Sequence, residues 1–364
     1  MLPPELVAQI RAAREGCERF LGWRLPADAR AALAALLEVT PEGTRTDMYG
    51  EGGVVEELEL EVAGLLGKEA AAFFPSGTMA QQVVLRIHAD RRGRRTVAYH
   101  PTAHVEIHEE RGYAHLHGLV ARLVGDARAP VTLADLEGVA EPLAALLLEL
   151  PQREIGGPLP EWAELQAMTA CARDRGAAAH LDGARLWEAA AYYGLPPGAV
   201  AELFDTVYVS FYKGLGGWAG AALAGPADIV DEARVWRRRH GGTLVALWPF
   251  ALSALHGLRT RLDDMPEGLA QARRLVAALA GLDGVEVVVD PPQTALVHVR
   301  LRQSQEGVAR AALALAEERS WAVPFRSRPS ESPRWVVSEL MVDAGVAAWP
   351  DEDLRAAYAG LVAP

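Results

Sequence analysis

Lysine is almost missing from this 364-residue chain: of its 36 basic side chains, only Lys68 and Lys213 are primary amines. Cysteine is as scarce, with Cys17 and Cys171 standing in helix-like surroundings and no CxxC pair. That excludes a disulfide scaffold or cysteine-ligated zinc and marks both as buried thiols. No apolar run reaches the roughly 18 uncharged residues of a membrane span. The opening "MLPPELVAQIRAAREG" lacks the charged start, apolar middle and cleavage site of a secretion signal, so a cytoplasmic protein is expected. A net charge of −12 speaks against broad binding to nucleic acid or anionic membranes, whose phosphates it repels. Two basic patches run against that balance, "DRRGRR" at 90–95 and "RVWRRRHGG" at 234–242; the first reads as a solvated helix end.

Half of the residues are hydrophobic, enough for a large core. Residues 1–40 read as two helices broken at "GWRLPAD", and "VVEELELEVAGLLG" as an amphipathic helix closing at Gly67. Short apolar runs then alternate with helical ones: "AAAFFP", "RTVAYH", "LAALLLELP", "AAAHLD" and "TVYVS" are the strands. Such alternation predicts an α/β architecture, a doubly wound, mostly parallel sheet covered by helices. Beyond about residue 250 the strands "VEVVVD", "TALVHVRL" and "RWVVSEL" suit a smaller α+β unit. The expected domains are an N-terminal helical segment at 1–40, a large domain at 41–250 and a small C-terminal domain at 251–364.

Three short stretches carry chemistry. In "FFPSGTMAQQ", Ser76 is a helix N-cap and Gly77 permits a close turn, so the free amides and dipole of the helix start suit a phosphate. In "AAAHLDGARLWEAA", Asp182 ends an apolar strand and Arg185 follows three residues later, both directed at the crevice beyond the sheet. An ion pair between them is the plain structural alternative. In "VSFYKGLGGWAG", Lys213 follows a strand and precedes a cluster of glycines. A lysine facing a dry crevice has a depressed pKa and attacks carbonyl carbons. Amine, carboxylate and phosphate-binding turn are together the three groups that pyridoxal 5'-phosphate requires.

The segments "DMYGEGGVVEELE", "FPSGTMAQQ", "HLDGARLWEA" and "KGLGG" resemble motifs of the threonine aldolase family of β-eliminating lyases, over roughly residues 40–260. The resemblance implies an aminotransferase-like fold type I large domain and a homodimer or homotetramer with active sites at the dimer interface. It implies Lys213 as the amine that bonds the cofactor aldehyde and Asp182 as the partner of the ring nitrogen. Gly77 and Thr78 fall at the phosphate, and Arg185 beside the phenolic oxygen or the phosphate. In "AHVEIHEERGYAHLHG", His104 matches the ring-stacking histidine and Glu109 the family's glutamate. Arg334 in "PRWVV" matches the arginine that clamps the substrate carboxylate, a task suited to a forked guanidinium. The activity implied is cleavage of the Cα–Cβ bond of a β-hydroxy-α-amino acid to glycine and an aldehyde. His104, His108 or a water is the base for the hydroxyl proton. β-Elimination, racemisation, transamination or a cofactor-binding subunit without turnover remain open as alternatives.

The sequence departs from the family pattern in four places. "RFLGWRLP" stands where an "SDT" segment is usual, and "ELPQRE" replaces "ENTHN", so Gln152 and Arg153 take the place of the histidine near the substrate hydroxyl and its neighbour. Tyr212 replaces the serine before the lysine, and Val245 the arginine that reaches the neighbouring subunit's phosphate, leaving Arg237, Arg238 or Arg239 to compensate. His100, His104 and His108 are spaced by four, but Pro101 interrupts any helix through all three, so no metal site is expected.

Overall fold

The computed structural model describes residues 2–22 and 28–363. They fall into two units, one formed by Leu36–Asp263 and the other by Met1–Ala35 with Asp264–Pro364. The helix break in "GWRLPAD" and much of "RFLGWRLP" lie on residues 23–27, outside the described residues.

The unit Leu36–Asp263 is built on a seven-stranded sheet of β1 (Ala70–Phe74), β2 (Thr96–Tyr99), β3 (Val120–Leu123), β4 (Ala145–Glu149), β5 (Ala178–Gly183), β6 (Thr206–Ser210) and β7 (Ala221–Gly225), in the order β1-β7-β6-β5-β4-β2-β3. Only β7 runs against the other strands of this sheet. The fold is therefore α/β with a mostly parallel sheet. β4, β5 and β6 are buried along their whole length, as expected when helices cover both faces. Burial of each Leu or Val there contributes on the order of 1.5–3 kcal/mol, far more than local propensity.

Five helices matter for the site: α1 (Gly53–Leu66), α2 (Gly77–Arg92), α3 (His104–Ile107), α4 (Leu186–Tyr193) and α5 (Trp248–Arg261). α1 closes at Gly67 in the left-handed region, as the sequence pattern anticipates. Asp47 ties the segment before α1 to the start of α5. Its Oδ1 accepts from the amides of Leu247 at 2.9 Å and Trp248 at 2.8 Å, while Oδ2 accepts from Gly50 at 2.8 Å.

In the other unit, β8 (Val285–Val287), β9 (Leu296–Leu301), β10 (Arg328–Pro329) and β11 (Val336–Met341) form an antiparallel sheet in the order β10-β11-β9-β8. Its core gathers Leu275, Leu279, Val297, Val299, Trp349 and Tyr358, giving the α+β character expected of the C-terminal region. The N-terminal helix Pro4–Glu15 belongs here, with Leu6 and Ile10 packed on Ala309. Cys17 is buried as expected, whereas Cys171 is half-buried. Among the described residues, no helix is long and apolar enough to cross a membrane.

Candidate active site

The parallel sheet directs the C-terminal ends of β1, β4, β5 and β6 to one edge, and a cavity of about 270 Å³ opens there. Gly77, Thr78, His104, Asp182, Arg185 and Lys213 all line it. Six residues separated by up to 136 positions in the chain thus share one wall (213 minus 77).

Lys213 sits in the turn after β6. Its amine is lowered to about 8, by burial first and by the nearby Arg185 second, against the opposing pull of Asp182 and Glu149. Such an amine is partly unprotonated near neutral pH, the state that attacks a carbonyl carbon. Asp182 closes β5, and its Oδ1 accepts from the Ala184 amide at 3.1 Å. Burial pushes this carboxyl up, while the charges of Lys213 and His104 and the amide bond draw it down. A buried carboxylate in that balance suits a protonated heteroaromatic nitrogen as its partner.

α2 begins at Gly77, and Ser76 makes no side-chain capping bond. The first-turn amides are thus left without a side-chain cap at the cavity edge, an arrangement that accepts phosphate. A side chain at Gly77 would run into the ring of Tyr208, so this position needs glycine. Arg185 is buried, and its Nε has no hydrogen-bond partner among the described residues. An orphaned guanidinium nitrogen beside this cavity marks a place for an anionic oxygen.

His104 starts α3, with Nδ1 2.9 Å from Glu109 Oε1. Burial alone would depress the imidazole, but the hydrogen bond and charge of Glu109 raise it. Glu109 is itself held by Gln82 Nε2 at 2.9 Å. Gly112 makes room for that amide, since a Cβ there would fall 2.5 Å from the Gln82 side-chain oxygen.

His108 takes no part in the cavity wall. It is exposed, with Nε2 2.8 Å from Glu154 Oε1. His100 is buried, its Nε2 within 2.8 Å of the Asp126 carbonyl. Among the described residues, no group of three or more His, Cys, Asp or Glu side chains converges to hold a metal. Arg334 lies exposed in the other unit, two residues before β11. Arg237 is engaged within its own unit: Nη1 donates to the Phe73 carbonyl at 2.5 Å and pairs with Glu59 at 3.8 Å. Arg239 lies over the ring of Trp236.

Sequence reasoning left several wall residues without a role. Glu149, Gln81, Tyr208 and Trp218 line the same cavity. Glu149 carried a signal of its own, an acid at the end of the apolar strand "ALLLE". Behind Gln81 runs a buried chain: Gln81 Oε1 to His180 Nε2 at 2.6 Å, His180 Nδ1 to Thr206 Oγ1 at 2.9 Å, and Thr206 Oγ1 to His88 Nε2 at 2.8 Å.

With this geometry in place, comparison with known proteins is informative. The chain is 31% identical over 247 residues to a low specificity L-threonine aldolase of Escherichia coli, covering 66% of this chain and 72% of that one. A probable low-specificity L-threonine aldolase of Arabidopsis thaliana is 29% identical over 267 residues, covering 68% and 75%. Among solved structures, a Listeria monocytogenes protein described as "a putative L-allo-threonine aldolase" superposes with a TM-score of 0.91. It is 37% identical, covering 98% of this chain and 99% of that one. The beta-eliminating lyase family model matches residues 31–303, and the chain belongs to that family.

Proposed function

We propose that this protein is a pyridoxal 5'-phosphate-dependent lyase that cleaves the Cα–Cβ bond of a β-hydroxy-α-amino acid, giving glycine and an aldehyde. One observation carries the reading: an amine, a buried carboxylate and an uncapped helix start line a single cavity. The family membership and the threonine aldolase relatives support the same reaction.

Lys213 would hold the cofactor through its amine, Asp182 through the ring nitrogen, Gly77 and Thr78 through the phosphate, and His104 against the ring face. Arg185 would meet the phenolic oxygen or the phosphate. Bound there, the cofactor supplies an electron sink for the pair released from Cα. A protonated ring nitrogen would favour the ionised form of Asp182, whose carboxyl burial raises, and the pair would hold the proton on the ring. Lys213, with its lowered pKa, would present an unprotonated amine to the cofactor aldehyde. Glu109 fixes the His104 ring by one nitrogen. The role of Arg334 toward the substrate carboxylate rests on the resemblance of "PRWVV".

The same reading includes a cytosolic setting and a homodimer or homotetramer. Exposed Met48, Tyr49, Leu244 and Val245, tied together by the Tyr49 amide and Val245 carbonyl at 3.0 Å, support self-association. A panel of β-hydroxy-α-amino acids, with glycine and aldehyde identified as products, tests the activity. Keto-acid formation without glycine would overturn it. Replacement of Lys213 by Ala should remove the visible absorbance of lysine-bound cofactor and nearly all turnover.

A further inference from the structure

The lyase reading requires a group that takes the proton from the substrate's β-hydroxyl, and the cavity offers few. His108 stands outside the wall and is engaged with Glu154. His104 is assigned to the ring face of the cofactor, with Nδ1 held by Glu109. Glu109 is spent on orienting His104, its Oε1 on Nδ1 of that ring and its Oε2 accepting from Gln82. Asp182 is committed to the ring nitrogen and Lys213 to the cofactor aldehyde. Tyr208 and Tyr212 are both raised above the ordinary tyrosine range, by burial first.

Glu149 is the carboxyl that remains. It ends β4 directly across from Asp182 in the parallel register, and it lines the cavity with Lys213. Its two oxygens are held separately, Oε2 by Gln152 Nε2 at 3.0 Å and Oε1 by the Arg153 amide at 3.3 Å. Gln152 is buried, and its amide also reaches Thr102 Oγ1 at 3.3 Å, so the carboxyl is fixed from behind. Gln152 occupies the position where the family pattern has its histidine near the substrate hydroxyl.

We propose that Glu149 is a catalytic residue of this lyase, the base that accepts the β-hydroxyl proton of the substrate; the assignment rests on the lyase reading above. In the step, the O–H bond breaks and its proton moves to a Glu149 oxygen. The C=O bond of the aldehyde forms as the Cα–Cβ bond breaks, and the electron pair of that bond stays with Cα. Solvent supplies the proton that Cα takes to complete glycine, and Glu149 gives its own proton back to solvent, so no other reactant is consumed.

The surroundings tune the group for this task. Asp182 faces it from β5, Lys213 from the turn after β6, His104 from α3 and Arg153 from its own connecting turn. Burial, then the Asp182 charge, raises Glu149 to about 7, while the Arg153 amide, Lys213 and His104 pull it down. A base near the working pH combines availability with driving force.

Replacement of Glu149 by Gln keeps the size and one of the two hydrogen-bond acceptors but removes the base. Cleavage of a β-hydroxy-α-amino acid should fall about 10²- to 10⁴-fold, the range for loss of a positioned base. Exchange of the glycine α-proton with deuterated solvent, which needs no hydroxyl base, and cofactor affinity of the apo-protein should stay close to wild type. In wild type, kcat/KM should fall on an acid limb near pH 7. Protonated-carboxyl infrared absorbance should titrate over the same range and drop by one carboxyl in E149Q, the buried Glu188, also raised to about 7, supplying the remainder. Equal losses in cleavage and exchange, or a wild-type profile flat from pH 5.5 to 8.5, would overturn the assignment. If E149Q does not fold, the wild-type pH profile of kcat/KM still decides. A wild-type enzyme that exchanges glycine but releases no aldehyde would instead defeat the lyase reading and this assignment with it.

Discussion

His104 Nδ1 lies 2.9 Å from Glu109 Oε1, and the other oxygen of the same carboxylate accepts from Gln82 Nε2, also at 2.9 Å. Two opposing effects meet at this imidazole: burial disfavours its charge, and Glu109 favours it, with the net result upward. Replacement of Glu109 by Gln removes the charge that most raises the ring and leaves Asp182 as the remaining charge that opposes burial. The His104 titration followed by NMR should then move downward. An unchanged midpoint would show that Glu109 does not set the charge of the ring.

Much of this arrangement was legible beforehand, for identifiable reasons. "AAAFF", "TVAY", "ALLLE", "AAHLDG" and "TVYVS" became strands because apolar runs buried on both faces have few alternatives. β7, "AALAG", was not read, since alanine and glycine carry little strand signal and its place is set by Tyr208, Val209 and Ser210 alongside. β3, "VARL", is a half-exposed edge strand whose pattern is equally weak. The wall residues Gly77, Thr78, Asp182, Arg185 and Lys213 were visible because each sits in a local motif. Glu149 ends the apolar strand "ALLLE", a signal too common to assign a role alone, and its place beside Asp182, 33 positions away, is set by the parallel register (182 minus 149).

Lys213 should titrate far below an ordinary lysine. In cofactor-free protein, the rate of its reaction with a small aldehyde should rise with pH around a midpoint near 8. Burial is the larger cause and Arg185 the second, so replacing Arg185 by Gln should raise the midpoint only part of the way toward 10.5. A midpoint near 10.5 in the unaltered protein would mean that the amine faces open solvent.

Asp47 belongs to "DMYGEGG", yet the structure gives it a load in the fold. It accepts three backbone amides, those of Gly50, Leu247 and Trp248, and is itself buried. Replacing it by Ala leaves those donors unpaired and removes the cap at the start of α5. Loss of a single helix cap costs about 1 kcal/mol, and orphaned buried donors add to that, so a total of about 2–4 kcal/mol is expected. Urea unfolding of D47A measures it, and a change below about 0.5 kcal/mol would put the stabilisation elsewhere.

His180 supplies the last test, because it is fully buried between Gln81 and Thr206 and lowered to about 3 by that burial. The folded protein refuses a proton that the unfolded chain takes up below the ordinary histidine value of 6.5. Stability contributed by this group is therefore complete above pH 6.5 and is lost as pH falls from there toward 3. The slope is about 1.4 kcal/mol per pH unit for each histidine behaving this way. His88, also buried and lowered mainly by burial, adds a second such proton. Glu149 and Glu188, both raised to about 7 by burial first, take up protons in the folded protein over the same range and oppose this slope, so His180 is read from urea unfolding of wild type and H180Q side by side between pH 8 and 5. In H180Q the acid slope should be shallower by one proton's worth, with His88 and His117, the latter lowered to about 4, still supplying theirs. An identical slope in H180Q would mean that His180 is protonated in the folded state and that the chain from Gln81 to His88 carries charge.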